Sequence, residues 1–250
     1  MVKFLFRPTT RQIASKYIER IEKNSFYEVR FKNLPNTLFW PLEFDINSVY
    51  QVTSETFDSE DWHYYRKNHT DVENGEILLD IGTAEGLFPL AIINTCEKIF
   101  LVEPSQSFCE ALATTFKPFE EKVVIHNTAV GDEDGVINFS EDALMGRIGE
   151  HQGSINHMIN LRKIDSIIPE NQKITYIKAD IEGYEYEMLK GAKQTIKKNK
   201  PKIAITAYHK ENIAKEMIDL ILTYVPEYNY YVKGIFEQGP KPVMIHFWID

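Results

Sequence analysis

The run Asp80-Ile81-Gly82-Thr83-Ala84-Glu85-Gly86 follows the apolar residues Ile77, Leu78 and Leu79 and opens what reads as a helix. Glycine-rich turns between a strand and a helix usually cradle phosphate, because backbone N–H groups point at the ligand. This turn carries two carboxylates, and like charges at such range are costly. Its glycine spacing also departs from G-x-G-x-x-G. Glu103, 23 positions beyond Asp80 and followed by Pro104, ends a second apolar run, "IFLVEP". An acid at that place can accept hydrogen bonds from both ribose hydroxyls. The two features together describe a ligand with a ribose, no pyrophosphate and cationic parts. S-adenosylmethionine fits: it carries a sulfonium, an ammonium and a single carboxylate, and turn amides can hold the last of these. Without a ligand, the same turn is an ordinary β-α connection, with Glu85 an acidic residue in the first turn of a helix.

These residues need elements to hold them. From Glu76 onward the pattern alternates strand and helix: strands at 77–81, 98–102, 123–126, 174–180 and 202–209, with helices at 85–95, 105–117, 183–199 and 211–224. "VINFS" reads as a short strand, and two closing strands lie in "YNYYVKG" and "KPVMIHFWI". Alternating units of this kind imply a mostly parallel sheet covered by helices on both faces, with an antiparallel edge. Ligands bind such sheets at the carboxyl ends of the strands. That rule singles out Asp80, Glu103, Asn127, Asp180 and His209. Residues 142–160, with three glycines beside Arg147, His151 and His157, read as a long loop. Residues 1–74 read as a helical and irregular extension, with helices at 10–22 and 58–69 and a strand at 26–31, before a domain at 75–250. Its aromatics Phe39, Trp40, Trp62, Tyr64 and Tyr65 suit either a sugar face or a core.

A hydrophobic share of 43% and a charged share of 26% are ordinary for a globular protein. The net charge of -9 argues against a nucleic-acid partner, which favours a basic stripe. Cys96 and Cys109 lack metal-ligand spacing and suit a reducing compartment. The apolar start "MVKFLF" is broken by Arg7 and Pro8, too short for a signal or a membrane span. The expectation is a cytoplasmic protein with no membrane partner.

Three further stretches join the first two: "VVIHNTAVGDEDGVINFS", "LRKIDSII" and, above all, "KADIEGYEYEMLKGA". With "ILLDIGTAEG" and "FLVEPSQSFCEAL" they resemble the FkbM family of S-adenosylmethionine-dependent methyltransferases, from about Gly75 to His209. The resemblance implies a class I methyltransferase (Rossmann-like) α/β fold of seven strands, one antiparallel. It implies methyl transfer, most often to a hydroxyl of a sugar, glycan or similar small acceptor, with S-adenosylhomocysteine as product. Methylation of a small amine, or a non-catalytic module that keeps the cofactor site, would share these features. By position, Asp80, Gly82, Thr83, Glu85 and Gly86 would form the methionine-side turn, Glu103 and Pro104 the ribose site, and Asn127, Thr128 and Ala129 the adenine side. Asp180, Glu182 and His209 are the candidate catalytic groups. A second reading of Asp180 is that it holds the cofactor ammonium or a divalent cation, a role its counterpart has in some related methyltransferases. The family's turn more often reads Asp-x-Gly-Ala-Asn-x-Gly, so Glu85 stands out. The glutamate it often places before the histidine after the fifth strand is missing from "TAYHK". A homodimer is compatible with everything above.

Overall fold

The computed structural model describes residues 7–142, 145–148, 155–235 and 242–250. Fourteen strands fall into three sheets among the described residues. The main sheet holds seven: β4 (Glu76–Ile81), β5 (Cys96–Val102), β6 (Val123–His126), β11 (Tyr176–Ala179), β12 (Lys202–Thr206), β13 (Asn229–Ile235) and β14 (Pro242–Trp248). Their order is β13-β14-β12-β11-β4-β5-β6. All neighbours pair in parallel except where β14 runs antiparallel to both β12 and β13. This is the class I methyltransferase arrangement, with the reversed strand one place in from the edge. A strand buried on both faces reads as a continuous apolar run, and every residue of "EILLDI" in β4 is buried.

The faces are filled by period-two alternation. Ile77, Leu79 and Ile81 join one apolar cluster with Met188, Leu189, Met217 and Ile221 of the later helices. Leu78 points the other way, into a cluster with Leu87, Leu112 and Phe116. The second cluster also takes in Val29, Phe31, Leu38, Trp40, Val49 and Tyr65, so residues before Glu76 cover one face of the main sheet.

That region departs from the expected helices. The first helix spans only Thr10–Ala14, closed at its start by a Thr9–Gln12 capping box. Residues Ile18–Lys23 (β1) instead pair with Tyr27–Phe31 (β2), which pairs with Leu38–Trp40 (β3). A ten-residue helix, Ser48–Phe57, lies within what read as irregular chain. Residues 58–67 are not helical. The Asp61 side chain accepts from the His63 N–H at 2.9 Å and from Ser54 Oγ at 2.7 Å, local bonds that compete with a helix. β8 (Gly135–Asp142) takes in the expected strand "VINFS", but residues expected as a loop belong to β9 (Met145–Ile148) and β10 (Ile155–Arg162), which with β8 and Ala129–Val130 (β7) form a four-stranded sheet. His151 lies outside the described residues. The expected helix at 183–199 breaks at Ala192 into Glu185–Gly191 and Lys193–Asn199. A Cβ at Gly191 would stand 2.0 Å from Gly131 O, so the first segment packs backbone against backbone.

No helix among the described residues is long and apolar enough to cross a membrane. Trp40 is fully buried between the N-terminal sheet and Phe108. Replacing such a side chain with alanine costs about 3–5 kcal/mol. Trp40→Ala should lower the urea midpoint of the whole chain in one cooperative transition. Two separate transitions would mean that residues 1–74 fold as an independent unit.

Candidate active site

The chain runs β4, β5, β6 outward to one side and returns through β11 and β12 on the other, so the strand order reverses between β4 and β11. Ligands bind such sheets outside the strand ends at this point. The two ends touch. Gly82 has φ +70°, and a Cβ there would lie 1.8 Å from Asp180 O, so only glycine closes the turn against β11. Asp80 and Lys178 are register partners across the same two strands. Lys178 Nζ lies 3.0 Å from Asp80 Oδ1 and donates to Gly82 O at 2.8 Å. Burial opposes the charge on each group, raising the Asp80 carboxyl and working against the Lys178 ammonium. The neighbouring Asp80 and Asp180 carboxylates outweigh burial at Lys178, whose pKa is raised.

Asp80, expected to face a cationic ligand, is therefore turned inward. It is fully buried and absent from the walls of the cavity above the turn. Gly86 is also absent from those walls; its φ is +81° and a Cβ would collide with Leu112 at 2.4 Å. Asn127 stands behind the walls and donates through Nδ2 to Glu103 O and Pro104 O, both at 3.0 Å.

The cavity holds about 550 Å³. One part of its wall holds Gly82, Thr83, Glu85, Glu103, Pro104, Thr128 and Ala129. Glu103 is aimed by two backbone donors at 2.8 Å: Ser105 N–H to Oε1 and Ala84 N–H to Oε2. This fixes a carboxylate at the strand end. Glu85 is 9% exposed, and its Oε1 accepts weakly from the Leu87 N–H at 3.3 Å. Burial pushes its carboxyl up to about 7, opposed by those backbone N–H groups and by Lys178. Glu85 thus lines the cavity and stands just before the helix Leu87–Ala91, whose N-cap is Gly86, so it is not the first-turn acid the sequence suggested.

The other part is built around Asp180. Its Oδ2 accepts from Tyr65 Oη at 2.7 Å and lies 3.2 Å from His63 Nε2; its Oδ1 accepts from Thr206 Oγ1 at 3.1 Å. Burial disfavours the charged carboxylate, but His63, His209 and Lys178 outweigh it and hold Asp180 well below the usual carboxylate range. Glu182 lines the cavity in a left-handed backbone conformation, φ +54°, a strained state for a non-glycine residue. His209 is not on the wall, but it sits directly behind. Its Nδ1 meets Glu185 Oε1 at 2.8 Å, while Nε2 lies 3.4 Å from Glu182 and 3.7 Å from Asp180. Burial works against its charge, yet the carboxylates raise its pKa. Glu185 comes from the helix Glu185–Gly191, which follows β11.

Asp180, Glu185 and His209 offer oxygen and nitrogen atoms within 4.8 Å of one another, a spacing a metal ion could use. Glu185 Oε1 already meets Ile181 N–H, Gly183 N–H, Thr206 Oγ1 and His209 Nδ1. Those bonds explain the cluster without a cation.

Several wall residues were not among those the sequence singled out for chemistry: Phe44, Ser48, Gln51, Glu55, His63, Lys178 and Tyr208. His63 and Tyr65 are buried while Trp62 is 39% exposed. That period-two pattern in "DWHYYRK" was the available signal, hidden by reading the stretch as a helix. Of the aromatics, Trp40 is core, Tyr65 bonds Asp180, and Trp62 packs on His63 and Tyr208.

The reversed seventh strand and a cavity at the β4/β11 switch define a class I methyltransferase fold. The methyltransferase FkbM domain model matches residues 80–232, well over half of the chain. The chain belongs to the FkbM methyltransferase family, and its domain is of the S-adenosylmethionine-dependent class. A methyltransferase FkbM from Methylobacillus flagellatus KT superposes with a TM-score of 0.56 at 21% identity, over 82% of this chain and 55% of that one. This chain therefore spans about half the length of that relative. TYW2 from M. jannaschii, solved in complex with AdoMet, matches at a TM-score of 0.49 and 11% identity, over 92% of this chain and 89% of that one. A precorrin-6y C5,15-methyltransferase from Geobacter metallireducens GS-15 matches at 0.44 and 11%, over 73% and 83%. These last two are too distant to carry argument. No curated protein matches the sequence.

A carboxyl raised in the folded state costs stability where it must ionise: nothing below about 4.5, the full amount above about 7 for Glu85. Glu85→Gln should therefore stabilise the ligand-free protein by ~1–3 kcal/mol at pH 8, with the gain vanishing near pH 4.5. Urea unfolding of both proteins across that range measures it; a gain independent of pH would show that the Glu85 charge is not the cause.

Proposed function

We propose that the protein transfers a methyl group from S-adenosylmethionine to a hydroxyl of a sugar, glycan or similar small acceptor. The observation that carries this reading is one cavity whose wall holds Glu103 and the glycine turn together with Asp180 and Glu182. The donor set suits the cofactor. Glu103, aimed by two N–H groups, would hold the ribose hydroxyls, with Pro104 beside it. Thr83 and the turn amides would hold the methionine carboxylate, with Lys178 the nearby cation. Glu85 would face the cationic part of the ligand, whose arrival favours its ionised form. Thr128 and Ala129 would border the adenine.

When bound, the cofactor supplies an activated methyl for in-line displacement. The chain's own part is alignment, charge and the proton. Asp180 is oriented by Tyr65, His63 and Thr206 and stays anionic, so it can accept a hydrogen bond from the acceptor hydroxyl. Its low proton affinity makes it a poor base at the outset. The hydroxyl proton becomes strongly acidic as the new C–O bond forms, so a weak base suffices late in the reaction. Glu182 is the second carboxylate able to receive that proton. His209, fixed through Glu185, presents Nε2 to both carboxylates and shares the change in charge.

Calorimetry should detect binding of S-adenosylmethionine and S-adenosylhomocysteine and none of NAD. Glu103→Ala should weaken cofactor binding by about 10–100-fold, the worth of hydrogen bonds to a charged group. Asp180→Asn should leave that affinity nearly unchanged and slow methyl transfer to an acceptor found by screening hydroxylated metabolites. Tight NAD binding without a response to the other two ligands would sink the assignment.

A further inference from the structure

The segment Asp58–Lys67 lies outside the family-matched residues 80–232, yet it supplies two of the three closest partners of Asp180. We infer that His63 is a positioning residue for the reaction, the group that keeps the Asp180 carboxylate charged and aimed into the cavity. The inference rests on the proposed methyl transfer and deepens it by assigning part of the catalytic centre to the N-terminal region.

A carboxylate buried among strand ends needs a counter-charge. Lys178 stands two residues before Asp180 but is engaged with Asp80 and Gly82 O. His209 meets Glu185 at 2.8 Å and stays 3.7 Å from Asp180. His63 Nε2 approaches Oδ2 to 3.2 Å, the closest cationic group to this carboxylate among the described residues. His63 is itself 5% exposed and lies between two acids, with Nδ1 3.6 Å from Glu55 Oε2. Burial opposes its charge, but the Asp180 and Glu55 carboxylates beside it raise it to about 10. The remaining groups facing its ring are Trp62, Tyr65 and Tyr208, with Tyr208 Oη 3.4 Å from Nε2.

The segment is built to hold this ring still. At one side, Asp61 links the His63 N–H to Ser54 on the helix Ser48–Phe57. On the other, Lys233 of β13 donates to Tyr64 O and reaches Asp61 O at 3.4 Å. Tyr65 packs on Phe88 and lies under the Lys178 ammonium. A histidine placed only to fill space would not require a buried lysine to pin the backbone on either side of it. Removing one member of a buried ion pair leaves the other charged and uncompensated. Without His63, Asp180 either protonates or turns to another donor, and in both cases it ceases to receive the acceptor hydroxyl.

The test compares wild type with His63→Gln, which keeps a donor without charge, and His63→Ala. The first measurement is S-adenosylhomocysteine affinity by calorimetry, which gauges the cofactor reading on its own. If wild type does not bind, that reading fails. With binding present, both variants should keep affinity within about threefold while kcat falls at least tenfold per folded molecule, more in His63→Ala. The acid limb of the wild-type rate profile should move to higher pH in His63→Gln. Independently of any acceptor, nitrogen NMR of the His63 ring should find both nitrogens protonated at pH 8, and Asp180→Asn should shift its titration downward. A neutral His63 at pH 8, a titration unmoved by Asp180→Asn, or unchanged kcat in folded His63→Ala overturns the inference.

Discussion

The buried pair of Asp80 and Lys178 is the contact on which the site depends. It joins β4 to β11 across the switch point, two strands that are neighbours in the sheet but far apart along the chain. Isolated charges at full burial would be prohibitive; paired, they persist. The pairing has a geometric result. Lys178 also holds Gly82 O, so the turn is drawn onto β11 until only glycine fits against Asp180 O. The mouth of the cavity follows from that closure. Removing either charge would leave the other stranded beneath the turn, so the pair is better regarded as a structural rivet than as a ligand contact.

This changes the meaning of the acidic turn. A phosphate would be repelled by two exposed carboxylates, but only Glu85 of the two reaches the cavity. The case against a pyrophosphate then rests on Glu85 and on the glycine spacing. Glu85, lifted toward neutrality by burial, is poised to ionise when a cation arrives. Around Asp180 the histidines reverse the logic. His63 and His209 are each held beside carboxylates, so the acidic residues there are balanced by imidazolium charge. The same cavity is therefore lined by a carboxyl that burial raises, Glu85, and by a carboxylate that flanking histidines balance, Asp180.

The main sheet was legible because each of its strands is an apolar run bounded by turn residues, a signal contained within a few positions. Glu103 was legible for the same reason: it directly follows such a run, and its two backbone donors come from the adjoining turns. Asp80 was misread because the direction of its side chain is decided by Lys178, which no local pattern reveals. Residues Ile18–Lys23 and the strands after 142 were missed because their hydrogen bonds go to distant partners; Ile155–Arg162, for example, pairs with Gly135–Asp142. The stretch 58–67 has the composition of a helix, but Asp61 captures the backbone and tertiary contacts hold the rest extended.

The N-terminal region therefore has two connected tasks. Its apolar residues Val29, Leu38 and Trp40 complete a cluster beneath β4, and its polar residues Glu55, His63 and Tyr65 complete the wall above it. The tasks cannot be separated, because Tyr65 does both: its ring belongs to the cluster and its hydroxyl bonds Asp180. The apolar packing that places Tyr65 also sets His63 two residues earlier, on the same face of extended chain. Stability and chemistry in this region are thus one constraint. A substitution that loosens the packing will move the Asp180 carboxylate even where it touches no charged group. The region matched by the family supplies most of the sheet and Glu103; the histidine closest to Asp180 comes from the residues that precede it.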